Sequence, residues 1–424
     1  MANTIKLGNG NWATKEGSLL AYNDENNNFK PLPFTTTRAS SATVVNKQGL
    51  IETVGSGIPR IDFSDDTNGA LLLEPTRSNS VDNSTNFFLN SWSGTRVSKG
   101  STIVSPNGQD EAHKLMASSV SNTHYREYPI SSASSGSYTG SCFFKKGEFN
   151  VGSIRMSVDS YANRIGVYIN LDNGTHLQTS TVGSPTGTSY KIEDYGNGWY
   201  RLSVSIIHTS GEIRMSLSNA SSDYTNSSGL PVFLGNSSDG GYAWGGQLEQ
   251  SSYATSYIPT QGSAVTRSAD ASSQTVPSGI IGQTEGTMFF EIDFANTSGV
   301  AGAWSISSGS SANRITMNTL GFSLTQFTLS IAQNYNSSST KLVSTNVTYS
   351  DNHKVAIKYS ATTLKLFVDG QLADSVATDG FGNYTNFYLG GNHSGVYGGD
   401  TRKFIQADLY NTALTDAELI ALTK

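Results

Sequence analysis

Tyrosines and arginines interleaved with carboxylates are the residues in this chain best placed to do chemistry. The chemistry they suit is recognition of sugars, where an aromatic ring covers the apolar face of a pyranose and polar side chains fix its hydroxyls. The run His124-Tyr125-Arg126-Glu127-Tyr128 reads as a strand. Alternation then sends Tyr125 and Glu127 to one face and Arg126 and Tyr128 to the other. Arg155, Tyr161, Arg164 and Tyr168 extend this set. Its candidate ligand residues are Tyr125, Arg126, Tyr128, Arg155 and Tyr168. A second group is Tyr384, Tyr388, His393 and Tyr397, spread over Tyr384-Thr385-Asn386-Phe387-Tyr388 and a glycine-rich loop at 390–400. Such a loop suits adaptable polar recognition. Each tyrosine has a second reading as a strand aromatic serving packing alone, and the loop as a plain connection.

Catalytic constellations are thin. Glu291 and Asp293 flank Ile292, so a strand would place both carboxylates on one face, as an acid and nucleophile pair requires. The plain reading is a strand with an acidic solvent face. The six histidines (His113, His124, His176, His208, His353 and His393) include no close pair for a metal. No G-x-S-x-G elbow, P-loop or dinucleotide fingerprint is present. The expectation is a protein that is not an enzyme and needs no cofactor.

The elements that position these residues are strands. Of the 424 residues 14 % are charged, 10 % are aromatic and 43 are glycine, a composition of short strands and turns rather than helices. A net charge of −6 without a basic run leaves no nucleic-acid footprint. The single cysteine, Cys142 in Ser141-Cys142-Phe143-Phe144, cannot form an intrachain disulfide and reads as a small core residue. The first residues lack a signal-peptide layout and no apolar run is long enough to span a bilayer, so a soluble protein from a reducing compartment is expected, without membrane insertion.

Organisation follows from the spacing of turn residues. Residues 1–83 read as a hairpin-rich module for attachment or oligomerisation, with Thr43–Val45 before Leu50–Val54 and Arg60–Phe63 before Ala70–Pro75, and an Asn-rich turn at 23–28. Residues 84–260 carry strand candidates such as Gly136–Lys145, Ile154–Val158, Arg164–Asn170 and Trp199–Thr209, the pattern of a jelly-roll sandwich. Trp199 and Trp244 read as core. A linker at 261–275 leads to a second sandwich at 276–424, where Asp369-Gly370 marks a hairpin. A terminal helix starts at Thr415, with Glu418 completing a capping box and Leu414 and Leu419 a hydrophobic staple. The fold class is all-β: an N-terminal hairpin-rich module followed by two antiparallel β-sandwiches.

Several of these stretches carry a resemblance. Phe34–Thr43 with Gly49-Leu50-Ile51-Glu52, and Gly69–Asn79 with its Leu71-Leu72-Leu73-Glu74-Pro75-Thr76-Arg77-Ser78-Asn79, resemble elements of tailed-bacteriophage tail and receptor-binding proteins. Asn197–Arg201, Trp244–Glu249 and Thr255–Thr260 resemble later strands of the same module, which is similar to a carbohydrate-binding jelly roll. Leu366–Gly370 and Asp408–Glu418 resemble the concanavalin A-like, laminin G-like lectin fold. In glycosidases on such a sandwich a third carboxylate follows the first two; here Ala295 and Asn296 follow instead.

The resemblance implies a virion structural protein, made in a bacterial host cytoplasm and recognising glycans on the host surface. Its expected partners are those glycans, other virion proteins and its own copies in a homotrimer. Structural calcium is open, because both resembled folds often carry it and Asp62, Asp65 and Asp66 could supply hard oxygens. Two other readings stay open: an architectural decoration protein binding only virion proteins, and a polysaccharide-degrading enzyme or its accessory chain.

Overall fold

A computed structural model describes residues 4–15, 17–21, 32–89, 91–294, 301–320, 326–336, 339–348, 352–378, 380–391 and 402–424. The Asn-rich turn at 23–28, Ala295 and Asn296 and most of the 390–400 loop lie outside them. The described residues form antiparallel sheets and one short helix, Asp416–Leu422. No helix among them is long and apolar enough to cross a membrane.

The chain divides into two units, one comprising Met1–Lys47, Thr53–Thr76 and Ser268–Lys424, the other Gln48–Glu52 and Arg77–Arg267. The first unit is a sandwich to which both chain ends contribute. Strand Ile5–Gly8 pairs with Arg402–Tyr410, and so does Ala70–Leu73. Strand Leu32–Thr37 pairs with Ala271–Thr275, which also pairs with Asn386–Leu389. The strands of the hairpin-rich module expected at 1–83 pair largely into the sheets of the last sandwich. An isolated hairpin has too little apolar surface and too many open edges to stand alone, and pairing removes both deficits. Ile5, Leu19, Phe34 and Leu71 join Phe290, Trp304, Ile357 and Phe404 in one core.

Local signals set the details. Asp369 and Gly370 adopt φ of 48° and 79° between Thr363–Val368 and Gln371–Ala377, the doubly left-handed turn that Asp-Gly favours. Thr415 caps the helix, its side chain accepting from the Glu418 N–H while the Glu418 carboxylate accepts from the Thr415 N–H. Leu414 and Leu419 are buried together.

Arg38, Arg60, Glu74 and Asp270 form a buried lattice in this unit. Arg38 Nη1 donates to Asp270 Oδ1 at 2.7 Å, and Arg60 Nη2 donates to Asp270 Oδ2. Arg60 Nη1 donates to Glu74 Oε2 at 2.7 Å and to the Thr43 carbonyl at 2.9 Å. All four charged side chains are closed to solvent. Two cations stand against two anions, and the carbonyls of Ser40, Thr43, Gly55 and Ile58 take further guanidinium protons, which meets the main condition under which buried charge is tolerated.

The second unit is a sandwich of two six-stranded sheets. One orders its strands Ser93–Thr95, Tyr125–Ala133, Gly211–Ala220, Val151–Val158, Asn163–Asn170 and His176–Val182; we call it the site sheet. The other, the backing sheet, runs Val97–Val104, Asp110–Ala117, Gly240–Glu249, Gly136–Lys145, Trp199–His208 and Ser189–Asp194. Ile154, Met156, Val167, Met215 and Leu217 of the first meet Cys142, Phe144, Leu202, Val204 and Leu248 of the second in a shared core. Trp199 and Trp244 are buried, as their strand motifs predict, and Cys142 is fully buried. Burial drives its thiol pKa well up.

Candidate binding face of the central sandwich

The outer face of the site sheet gathers most of the residues singled out in the first sandwich. Register places Gly166, Arg155, Ser216 and Glu127 in one row across four strands. Arg164, Ser157, Arg214 and Pro129 form the next row, and Tyr168 lies beside Ser153 and Gln178. The inward partners are the aliphatic residues of the core, so period-two alternation alone creates this polar face.

Glu127 is its hub. Tyr161 Oη donates to Glu127 Oε1 at 2.5 Å and Arg214 Nη1 donates to the same oxygen at 2.8 Å. Arg155 Nη2 and Ser216 Oγ donate to Oε2 at 3.0 and 2.7 Å. Burial alone would raise the Glu127 pKa, but these hydrogen bonds and the Arg155 charge leave it below the usual carboxylate value. The Tyr161 ring has Arg214, Arg155 and Arg164 at 4.9, 5.5 and 5.8 Å from its centroid. Its position is set by a turn in which Asp159, Ser160 and Tyr161 all take positive φ, at 54°, 53° and 69°. Arg155 also lies 5.4 Å from the Tyr125 ring.

Beside this cluster opens a cleft of about 410 Å³ lined by Asn150, Val151, Asn170, Leu177, Gln178, Ser222 and Tyr224. The Tyr224 ring stacks on Tyr168 at 5.1 Å and 8°, so Tyr168, itself fully buried, supports the ring that reaches the cleft. The segment Thr225–Leu234 lies over the same face. Gly166 must be glycine because a Cβ there would stand 2.1 Å from the Gly229 carbonyl oxygen. Leu177 is 43 % exposed and gives the cleft an apolar rim. Asn150 Nδ2 donates to Asp172 Oδ2 at 2.9 Å, which holds that amide in place. An aromatic wall with amides around it can cover a sugar ring and address its hydroxyls.

The other expected residues are placed differently. Arg126 and Tyr128 fall on the inward side: Arg126 donates to the carbonyls of Phe87 and Trp92, and Tyr128 donates to the Ser80 carbonyl from within the core. Neither can reach a surface ligand. Arg155 is on the outer face but nearly closed to solvent, so it acts on Glu127 and the tyrosine rings. Tyr125 remains half-buried on that face. In the last sandwich Tyr384 is packed into the core beside Tyr359 and is likewise out of reach, while Tyr388 points away from that core, half-buried between Ser273 and Ser305. His393 and Tyr397 lie outside the described residues. Tyr224 and Gln178 escaped the sequence reading because no strand is expected at Ser221–Ser228 or His176–Val182, and Asn170 entered it only as the end of the expected strand Arg164–Asn170.

The acidic candidates are also partnered. Glu291 and Asp293 share the outward side of Gly286–Asp293, where Glu291 faces Lys354 and Gln406. Lys403 Nζ donates to Asp62 at 2.9 Å, to Ser64 Oγ at 2.6 Å and to Asp65, so an ammonium stands between the two carboxylates. No group of three or more His, Cys, Asp or Glu positioned for a metal occurs among the described residues.

No family model matches the chain, and no curated protein matches it. Among solved structures it is similar to the CBM40 of the Ruminococcus gnavus IT-sialidase bound to α2,3-sialyllactose, at 18 % identity and a TM-score of 0.29, over 34 % of this chain and 84 % of that one. It is similar to domain 4 of AbnA, a GH43 extracellular arabinanase from Geobacillus stearothermophilus in complex with arabinotriose, at 12 % identity and 0.30, over 37 % and 73 %. A third is the receptor-binding domain of botulinum neurotoxin D, at 12 % identity and 0.28, over 36 % and 41 %.

Proposed function

We propose that the chain is a non-catalytic glycan-recognition protein whose sugar site is the Tyr224 cleft on the site sheet. The observation that carries this reading is the stack of Tyr224 on buried Tyr168 at a cleft lined by Asn150, Asn170 and Gln178. Stacking on a fixed ring costs little side-chain ordering on binding, which favours aromatic anchors held in advance. Single clefts of this size bind weakly, and several copies acting together on a polymeric surface raise avidity.

The reading extends to a structural component of a tailed-phage particle, a homotrimer contacting other virion proteins and host-surface glycans. The support for that part is sequence resemblance at Phe34–Thr43 and Gly69–Asn79. A glycan array of the full chain, repeated with Tyr224→Ala and Gln178→Ala, tests the site. Specific binding lost in both variants is expected; equal binding by all three proteins would overturn it. Electron microscopy of particles labelled with an antibody to the chain tests the location. Label on the tail is expected, and particles without label would refute it.

A further inference from the structure

Among the described residues that line the Tyr224 cleft, none is ionic. Asp172, which holds Asn150 from outside the lining, is balanced by Lys146: Nζ donates to its Oδ1, while Asn150 Nδ2 donates to Oδ2 at 2.9 Å. These bonds fix which way each amide points. With Nδ2 engaged, Asn150 keeps its Oδ1 as an acceptor that receives no donor among the described residues. Asn170 is oriented the opposite way. Its Oδ1 accepts from the Asp172 N–H at 2.8 Å, so its Nδ2 is a donor without an acceptor among the described residues. Val151 pairs with Asn170 across the strands, which sets Asn150 and Asn170 close together. Both side chains are half-buried, and neither free amide atom is closed to solvent. Gln178, exposed and opposite Tyr168 in register, brings a further amide, and exposed Leu177 supplies apolar surface at the same rim. One acceptor beside one donor, next to an exposed aliphatic side chain, is the complement of a secondary amide that carries a methyl group.

We infer that the cleft selects sugars bearing an acetamido group, an inference that rests on the glycan reading of this same cleft. The acetamido N–H donates to Asn150 Oδ1 and its carbonyl oxygen accepts from Asn170 Nδ2. Its methyl covers Leu177 while the pyranose ring lies on Tyr224. A site built to pair both polar atoms of an amide rejects the analogue that carries a hydroxyl there, because one protein group then loses its partner. An ammonium or a carboxylate in the same place finds no counter-charge on the described lining.

The test measures dissociation constants of the full-length chain by saturation-transfer NMR for three matched pairs: N-acetylglucosamine with glucose, N-acetylgalactosamine with galactose, and N-acetylmannosamine with mannose. Glucosamine is the charged control. At least one acetamido sugar is expected to bind about tenfold more tightly than its hydroxyl partner and than glucosamine. Asn170→Asp keeps the oxygen that receives the Asp172 N–H and removes the free donor. It is expected to lower the acetamido sugar's affinity to that of its hydroxyl partner, whose own affinity is kept; a merely structural loss would weaken both. Tyr224→Ala is expected to weaken both sugars of the pair, which separates binding in this cleft from binding anywhere else on the chain. If the sugars of every pair bind equally and Tyr224→Ala weakens both, acetamido selection is overturned and the glycan reading stands. A preference that survives Asn170→Asp overturns the selection as well. If no sugar binds, or if binding is indifferent to Tyr224→Ala, the selection and the glycan reading of the cleft fall together.

Discussion

Arg155 meets Glu127 on the outer face of the site sheet, Nη2 to Oε2 at 3.0 Å, with both side chains almost closed to solvent. Glu127→Ala would leave Arg155 as a buried cation facing Arg214 without its main counter-charge. The expected cost is about 3–5 kcal/mol. Replacing both partners with apolar residues, Glu127→Leu with Arg155→Met, should recover most of that loss. Urea unfolding of the two variants checks this, and equal losses would refute the pairing.

Glu127 and Glu291 predict opposite pH responses. The folded-state pKa of Glu127 is depressed, so its contribution is complete above its unfolded value near 4.5 and is lost as pH falls through the lower folded value. Burial raises Glu291 despite the Lys354 charge. Its ionisation therefore weakens the fold above the unfolded value, and the penalty vanishes as pH drops. Glu291→Gln should stabilise the protein at pH 7 and become neutral below about pH 4. Melting curves from pH 3 to 8 check both signs.

Asp270 receives Arg38 and Arg60 together. Asp270→Ala should lower stability by about 3–5 kcal/mol or more, since two buried guanidiniums lose one anion. Glu74→Gln should cost less, because Arg60 retains Asp270. Separate unfolding midpoints for the two variants measure the difference.

Cys142 is fully buried, and its thiol pKa is pushed far up, so thiolate is absent at neutral pH. A thiol reagent at pH 8 should label it only after denaturant is added. Labelling of the native chain within minutes would contradict this placement.

Local features were readable and distant ones were not. The Asp369-Gly370 turn, the Thr415 cap and the burial of Trp199 and Trp244 each depend on neighbours a few residues away. The pairing of Ile5–Gly8 with Arg402–Tyr410 joins opposite chain ends, and no local pattern encodes it. At the site, alternation correctly separated Tyr125 and Glu127 from Arg126 and Tyr128. It could not tell which face was buried, so Arg126 and Tyr128 entered the candidate set wrongly. Tyr168 reads from the sequence as a ligand residue, yet it is fully buried beneath Tyr224, a placement that depends on a chain segment folding back over Gly166.

The central claim is that the Tyr224 cleft binds glycan, and array binding by wild-type chain against Tyr224→Ala tests it most directly. The account predicts specific glycan binding by the wild type and a loss of more than tenfold, about 1.4 kcal/mol, in the variant with its melting temperature kept. Undiminished binding by Tyr224→Ala, or no glycan bound by the wild type, would contradict it.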